Sequence, residues 1–438
     1  METTQKPILD IADRPRPGLW ALLSTQHLFA MFGATVLVPL LTGLSPAVGL
    51  VTSGCGTLAY ILITGGRIPV YLGSSFAFIA PIISAITIGG IEGAMIGCFF
   101  AGLAYLVVAL GIRRFGTGWL MRLLPPIVVG PVIMVIGLSL AGVAIDMAMN
   151  DPATKAYSSL HFGVALFTLF TAILCALVLR GFFSLVPVLI AIASGYLVAT
   201  LAGLVDFSTV IAAPLFAIPD FTVPFVTYSP AINWTILAVI VPVAIVTMAE
   251  HTGDQMVISK ITGRNFLKTP GLHRSLAGDG TATMLAALLG GPPNTTYGEN
   301  IGVVAITRVF SVWVIGGAAV LAVAFGFVGT IAALIQTVPT AVMGGVAIML
   351  FGIIASSGLR MLIDNRVDFG ETRNLVIASV ILVLGIGGAF IQVTAEFKVA
   401  GMALAAIVGI LLNLVIPGRP RAIDPDAMFR PVEHRPAG

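Results

Sequence analysis

Long apolar runs alternate with short polar breaks from about residue 22 to residue 417. Each run is roughly 20 residues long, and at about 1.5 Å per residue a helix of that length crosses a ~30 Å hydrocarbon layer. The pattern predicts fourteen segments, at 22–41, 46–65, 69–84, 92–111, 125–144, 160–179, 183–204, 232–252, 273–290, 293–306, 310–333, 338–357, 374–392 and 398–417. The third and tenth differ from the rest. Each opens near a proline, Pro69 or Pro293, and runs on through residues of low helix propensity, with Ser74 and Ser75 in one and Thr295 and Thr296 in the other. A short extended stretch leading into a half-helix is expected in both. At that depth, backbone groups must pair with each other or line a polar cavity.

Composition agrees with this pattern: 58% of the residues are hydrophobic, 9% are charged, and the mean hydropathy is +1.06. A soluble domain carries roughly 25% charged residues, so a water-facing surface of ordinary size is excluded. One membrane domain over 21–417 is expected, with short polar tails at 1–20 and 418–438. With the N-terminus placed inside and fourteen crossings followed, only Lys155 and Lys398 of the 22 basic residues fall outside. That bias supports the count and puts both termini in the cytoplasm. Removing the weak third and tenth segments would send several basic clusters to the wrong face.

The net charge of +3 is spread over many loops and leaves no nucleic-acid footprint. Cys55, Cys98 and Cys175 lie in separate segments without metal or CxxC spacing, so neither disulfides nor a metal site is expected. The first twenty residues hold Asp10, Asp13, Arg14 and Arg16 and no apolar core, so no cleavable signal peptide is expected. No GxxxxGK[ST] motif or nucleophile–base pair occurs, which argues against an ATP-driven pump and against an enzyme.

A shift of 224 residues lays two parts of the chain on one another. Gln26-His27 falls on Glu250-His251, Gly54-Cys-Gly-Thr57 on Gly278-Asp-Gly-Thr281, Gly66 on Gly290 and Pro69 on Pro293. Pro125 and Gly130 match Pro339 and Gly344 after an indel of about ten residues. The copies begin with segments one and eight. Seven is odd, so the second copy enters from the opposite face, giving the inverted repeat common among secondary transporters. Broken segments at matching positions of two such halves point to a midplane binding site.

Few acidic residues lie in apolar segments: Glu250, Asp254, Asp279, Glu299, and Glu92 at a segment entrance. A carboxylate at mid-bilayer costs roughly 2.5–3.5 kcal/mol even on permissive scales, so each is a functional candidate. Glu250 and Asp254 are four apart and share a helix face, with His251 turned about 100° from Glu250. Asp254 stands nearer the cytoplasmic end, where Lys260 and Arg264 could also pair with it. Asp279, in a Gly-Asp-Gly-Thr turn, could brace loops or relay protons. His27 reads as a structural, hydrogen-bonded histidine, and Phe76 as a packing or stacking residue. Two carboxylates beside free amides suit a small, planar, neutral ligand with N–H donors and carbonyl acceptors, as in a pyrimidine-dione, and would repel an inorganic anion. Carboxylates held away from water can also tie proton uptake to binding.

Pro293-Asn-Thr-Thr-Tyr-Gly-Glu-Asn-Ile-Gly-Val-Val-Ala-Ile-Thr-Arg308 resembles the signature of the nucleobase–ascorbate transporter family. Gln26-His-Leu-Phe-Ala-Met-Phe-Gly-Ala-Thr-Val-Leu-Val-Pro39 and Tyr71-Leu-Gly-Ser-Ser-Phe-Ala-Phe78 resemble its bacterial uracil-type branch, as does Glu299 before Asn300. The likeness runs from about residue 20 to 417 and implies an all-α fold of two inverted seven-span repeats. Spans 1–4 and 8–11, about 21–111 and 232–333, would form a core domain. Spans 5–7 and 12–14, about 122–204 and 338–417, would form a gate. By motif, Ala34, Phe76, Glu250, Tyr297, Gly298 and Glu299 would contact substrate, with the carboxylates accepting from ring N–H groups and the backbone at Phe76 and Gly298 meeting carbonyls. His27, Asp254, Asp279 and Asn300 would brace the site or couple protons. The resemblance implies uracil import across a bacterial inner membrane, driven by a proton gradient without a cofactor, often in a homodimer. One departure stands out: Asp254 occupies a place where uracil-type members usually carry histidine and purine-type members resemble this chain. A broader nucleobase range, including thymine or xanthine, therefore stays open, and an anion transporter of the same architecture is the more distant alternative.

Overall fold

A computed structural model describes residues 7–179, 186–392 and 398–418. Lys6, Arg180, the first residues of the seventh predicted segment and the tail from 419 onward lie outside these ranges, so part of the charge-sidedness reading rests on residues not described.

In chain order the helices of the first half are α1 (Pro17–Thr42), α2 (Pro46–Ile63), α3 (Ile79–Phe115), α4 (Gly118–Leu123), α5 (Pro126–Ser139), α6 (Ala141–Met149), α7 (Ser159–Val178), α8 (Pro187–Leu201) and α9 (Ser208–Ala212). Those of the second are α10 (Trp234–Ile240), α11 (Val243–Thr262), α12 (Leu272–Leu289), α13 (Gly298–Thr307), α14 (Val312–Gly326), α15 (Gly329–Gln336), α16 (Thr340–Asp364), α17 (Thr372–Ile386) and α18 (Gly401–Val415). Among the described residues there are also four short strands, β1 (Leu72–Ser74), β2 (Asn294–Thr296), β3 (Phe390–Gln392) and β4 (Lys398–Ala400), with a 3-10 turn at Phe76–Phe78 and a π-helical turn at Leu267–Gly271. Among the described residues, seven helical stretches are by themselves long and apolar enough to span a membrane, and four shorter apolar helices accompany them. Phe76–Phe115 carries both the third and fourth spans, and the other six long stretches are the first, second, fifth, sixth, eighth and twelfth. The four shorter helices are the seventh, eleventh, thirteenth and fourteenth; α12 supplies the ninth and β2 with α13 the tenth, which makes fourteen.

Several boundaries differ from the apolar pattern for identifiable reasons. The third and fourth segments form one continuous run in α3, bent at Gly89 and Gly90, where Gly90 takes φ +68°. That positive φ is open to glycine and strained for other residues, so the helical course breaks between the spans without a polar loop. The eighth segment does not stop at 252: α11 continues to Thr262 because its polar residues face other helices. The Gly-Asp-Gly-Thr motif at 278–281 is not a turn between elements but a closely packed stretch inside α12. A Cβ at Gly280 would meet the Gly102 carbonyl of α3 at 2.7 Å, and one at Gly278 would meet the Tyr60 ring of α2 at 2.7 Å. The glycines let three helices approach as side-chain-bearing residues could not. Segments thirteen and fourteen give up their facing ends to an antiparallel pair, Phe390 opposite Ala400 and Gln392 opposite Lys398. Gly388, at φ +69°, ends the helical course before it. At 15 residues α17 spans about 22 Å, and the hairpin extends the crossing.

Packing falls into two groups. α12 lies against α2 and α3, α14 against α1 and α2, and α10 against α3. In the other group α16 lies against α5, α6, α7 and α8, while α17 lies against α5 and α18. The groups meet along α1 with α8 and along α11 with α5 and α18. Residues before α1 form a strap on the first group: the Ile8 amide donates to the Arg308 carbonyl (2.9 Å), Phe310 to Leu9 (2.8 Å), and Arg264 pairs with Asp10 at 2.7 Å.

Candidate functional site

The two broken segments meet. β1 and β2 pair antiparallel with Leu72 opposite Thr296, Gly73 opposite Thr295 and Ser74 opposite Asn294. The ladder extends by one bond at each end, Ser75 N–H to the Pro293 carbonyl at 2.8 Å and Tyr297 N–H to the Tyr71 carbonyl at 3.0 Å. Each stretch therefore satisfies its backbone with the other, as the low-dielectric surroundings require. Two half-helices leave the pair: a 3-10 turn at Phe76–Phe78 running into α3, and α13. No side chain caps the start of α13, so its first amides face the space before it with the positive end of the helix dipole.

Tyr297 joins the parts. Its ring is 3% exposed and closes over Gly73, where a Cβ would collide with it. Its hydroxyl donates to the Ser74 carbonyl (3.0 Å) and accepts from Thr35 of α1 (3.1 Å). The structure thus places the Tyr297 side chain as a brace of the crossing, leaving its backbone beside the opening. Ala34 is buried in α1 next to Thr35. Phe76 packs edge-to-face on Phe351 of α16, with centroids 5.8 Å apart, so the aromatic candidate touches the second helix group. Phe351 carries no sign of this in the sequence, because an apolar residue in an apolar span looks like any other.

Glu250 and Asp254 of α11 and Glu299 of α13 lie within electrostatic reach of one another, and all three are half-buried. Glu250 is also within reach of Asp279. Neither Glu250 nor Glu299 has an ion-pair partner among the described residues. Glu299 sits in the first turn of α13, where the helix dipole favours a carboxylate. Asp254 accepts a 2.6 Å hydrogen bond from Thr296 Oγ1 of β2. Pairing with Arg264 does not occur, since that guanidinium holds Asp10 instead. Gly298 is exposed, with open space where a Cβ would stand. Glu92 is exposed just beyond the bend in α3, away from this group.

The bracing candidates divide into two networks. Asn300, fully buried, donates to both His27 Nδ1 (3.1 Å) and the His27 carbonyl (3.0 Å), tying α13 to α1. His27 Nδ1 then accepts, which puts the proton of a neutral ring on Nε2. Asp279 lies 3.1 Å from His251 Nδ1, both side chains being wholly buried. His251 Nε2 lies 2.6 Å from Ser275 Oγ, which is 2.8 Å from the Tyr60 hydroxyl, which accepts from Gln255 at 2.7 Å. This chain links α2, α11 and α12 behind the carboxylates. The sequence pattern marks Asp279 as a candidate but not His251, Ser275, Tyr60 or Gln255; the 100° turn from Glu250 to His251 is the one available signal that the two point to different neighbours.

An inverted-repeat transporter core, with a strand crossing at its centre and carboxylates around it, is the class that fold and site define. Residues 18–394 match the sequence model of the Permease family (Xan_ur_permease), and the chain belongs to that nucleobase–ascorbate transporter family. It is 64% identical over 419 residues to a uracil permease of Bacillus caldolyticus, covering 96% of this chain and 97% of the relative. It is 63% identical to that of Bacillus subtilis (strain 168), covering 94% and 96%, and 45% identical to that of Escherichia coli (strain K12), covering 93% of each. In fold it is similar to the transmembrane domain of the cyanobacterial bicarbonate transporter BicA, with TM-score 0.59 at 16% identity, covering 92% and 98%. It is likewise similar to SLC26A9, with TM-score 0.66 at 11% identity, covering 91% and 64%. The chain is a multi-pass membrane transporter.

Proposed function

We propose that the chain is a proton-coupled secondary transporter that imports uracil across a bacterial inner membrane by alternating access, with both termini in the cytoplasm. The observation that carries this reading is the proximity of Glu250 and Glu299, without cationic partners among the described residues, at the uncapped start of α13. Uracil offers two N–H donors and two carbonyls on one plane. Glu250 and Glu299 accept from the ring N–H groups, and the amides at Phe76 and Gly298 donate to the carbonyls. The Phe76 ring covers one face. The high identity to uracil permeases across nearly the whole chain supports the same ligand.

Asp254 and the carboxylate pair supply the groups that exchange protons with the open side. Core (about 21–111 and 232–333) and gate (about 122–204 and 338–417) are the moving bodies, a division that the two packing groups support. A homodimer belongs to the same reading and is tested by the mass of the detergent-solubilised particle.

The deciding experiment is radiolabelled uracil uptake in cells lacking their own permease, with excess thymine, xanthine and uric acid as competitors. Uracil uptake that collapses with a protonophore is expected. Uptake indifferent to the protonophore removes the proton coupling, and full competition by xanthine replaces uracil selectivity with a broader range.

A further inference from the structure

Away from the carboxylates, a cavity of about 380 Å³ opens where the C-terminal ends of α2 and α3 meet the start of α12. It is lined on one side by the apolar Ile63, Leu106 and Leu110 and on the other by the basic Arg113, His273 and Arg274. Arg113 lies in the last turn of α3, where the helix dipole favours a cation. Arg274 does not have that explanation. It stands in the first turn of α12, where the dipole opposes a cation, and that turn has neither an acidic residue nor a side-chain cap. None of the ion pairs among the described residues includes either arginine. Both guanidiniums act electrostatically on the His273 ring, so the three basic groups share one side of the cavity. Such a cluster is stabilised by an anion.

The surroundings decide which anion. Leu62, Val107 and Leu110, on the same helix ends, are 79%, 65% and 66% exposed, so the rim below the arginines is a bare apolar face of membrane-spanning helices. A soluble anion has no use for that face, whereas a phospholipid presents a phosphate and an acyl chain at this separation of polar and apolar zones. Paired guanidiniums match phosphate oxygens in fork geometry.

We propose that this cleft is a binding site for an anionic glycerophospholipid, its phosphate clamped by Arg113 and Arg274 and its acyl chain lying along Leu106 and Leu110. The site is separate from the carboxylates and does not depend on which substrate is carried.

The test is a thermal-shift titration of the delipidated full chain in detergent with phosphatidylglycerol, phosphatidylcholine or inorganic phosphate. Phosphatidylglycerol should raise the unfolding midpoint, and the Arg113→Gln/Arg274→Gln protein should need roughly tenfold more lipid for half the effect. Arg114→Gln, altering the neighbouring arginine outside the cleft, should titrate like the parent. If the double variant is not monodisperse, Arg274→Gln alone answers, with a smaller displacement in the same direction. An unchanged titration in these variants overturns the proposal, as does an equal shift with phosphatidylcholine. Inorganic phosphate reproducing the full shift also overturns it, by assigning the cleft to a soluble anion.

Discussion

At the scale of single residues, the second repeat supplies carboxylates where the first has neutral groups. Glu250 occupies the position equivalent to Gln26, and Glu299 that of Ser75. Their cost in an apolar chain makes both legible in the sequence alone. Replacing either with Gln keeps its shape and removes the charged acceptor, a change of about 1.5–3 kcal/mol, so initial uracil uptake should fall roughly tenfold or more at equal protein abundance. Normal uptake by both variants would remove the site assignment. Asp254 is equally visible as a candidate, but its partner is not. Lys260 and Arg264 are near in sequence, whereas Thr296, 2.6 Å away, is 42 positions along the chain. Asp254→His is expected to keep uracil uptake and narrow the competitors that inhibit it. Complete loss of uptake would instead give Asp254 a role that histidine cannot fill.

At the scale of elements, the decisive feature is the antiparallel contact between two three-residue strands. Proline followed by Ser or Thr pairs announces an extended stretch in each half, and the need to satisfy backbone groups in an apolar medium makes their pairing the natural outcome. The register is not legible in the same way, since it is set by the rigid approach of α2, α12 and α1 around the crossing. Ser53 and Thr57 of α2 hold the Leu72 carbonyl at 2.8 and 3.0 Å, and Thr283 of α12 holds that of Asn294 at 3.0 Å. These contacts are only as good as the helix approach, which rests on glycine. Gly280→Ala places a Cβ against the Gly102 carbonyl, a backbone atom that cannot rotate away, and should cost about 1–3 kcal/mol. A clear drop in thermal midpoint is expected. Gly316→Ala, whose Cβ would find its nearest neighbour at 3.8 Å, should leave the midpoint unchanged or slightly raised.

At the scale of the whole molecule, transport by alternating access needs the two helix groups to move past one another, and their contact can be locked. A Cβ on Gly33 of α1 would stand 3.6 Å from Val188 Cβ of α8, within the range of a disulfide. A Gly33→Cys/Val188→Cys protein should cross-link under oxidation, lose uptake, and recover it on reduction. Cross-linked protein that still transports would show that α1 and α8 move as one body. The apolar pattern alone established the number of spans, and the odd seven-span offset established their inversion, because both follow from hydrophobic length and chain direction. The position of the candidate site is read from the same sequence, since buried charge and broken helices are local signals.

What only the tertiary structure decided is which residues complete that site. Tyr297 turned out to brace the strand crossing, His251 and Asp279 to point into a separate buried network, and Phe351 to meet Phe76 from the other helix group. Each of these depends on the rotation of one helix against another. In a chain that is apolar on nearly every face, no polar stripe fixes that rotation in advance. It is set by where glycines allow close approach and where buried hydrogen bonds can be completed, both of which join residues far apart in sequence.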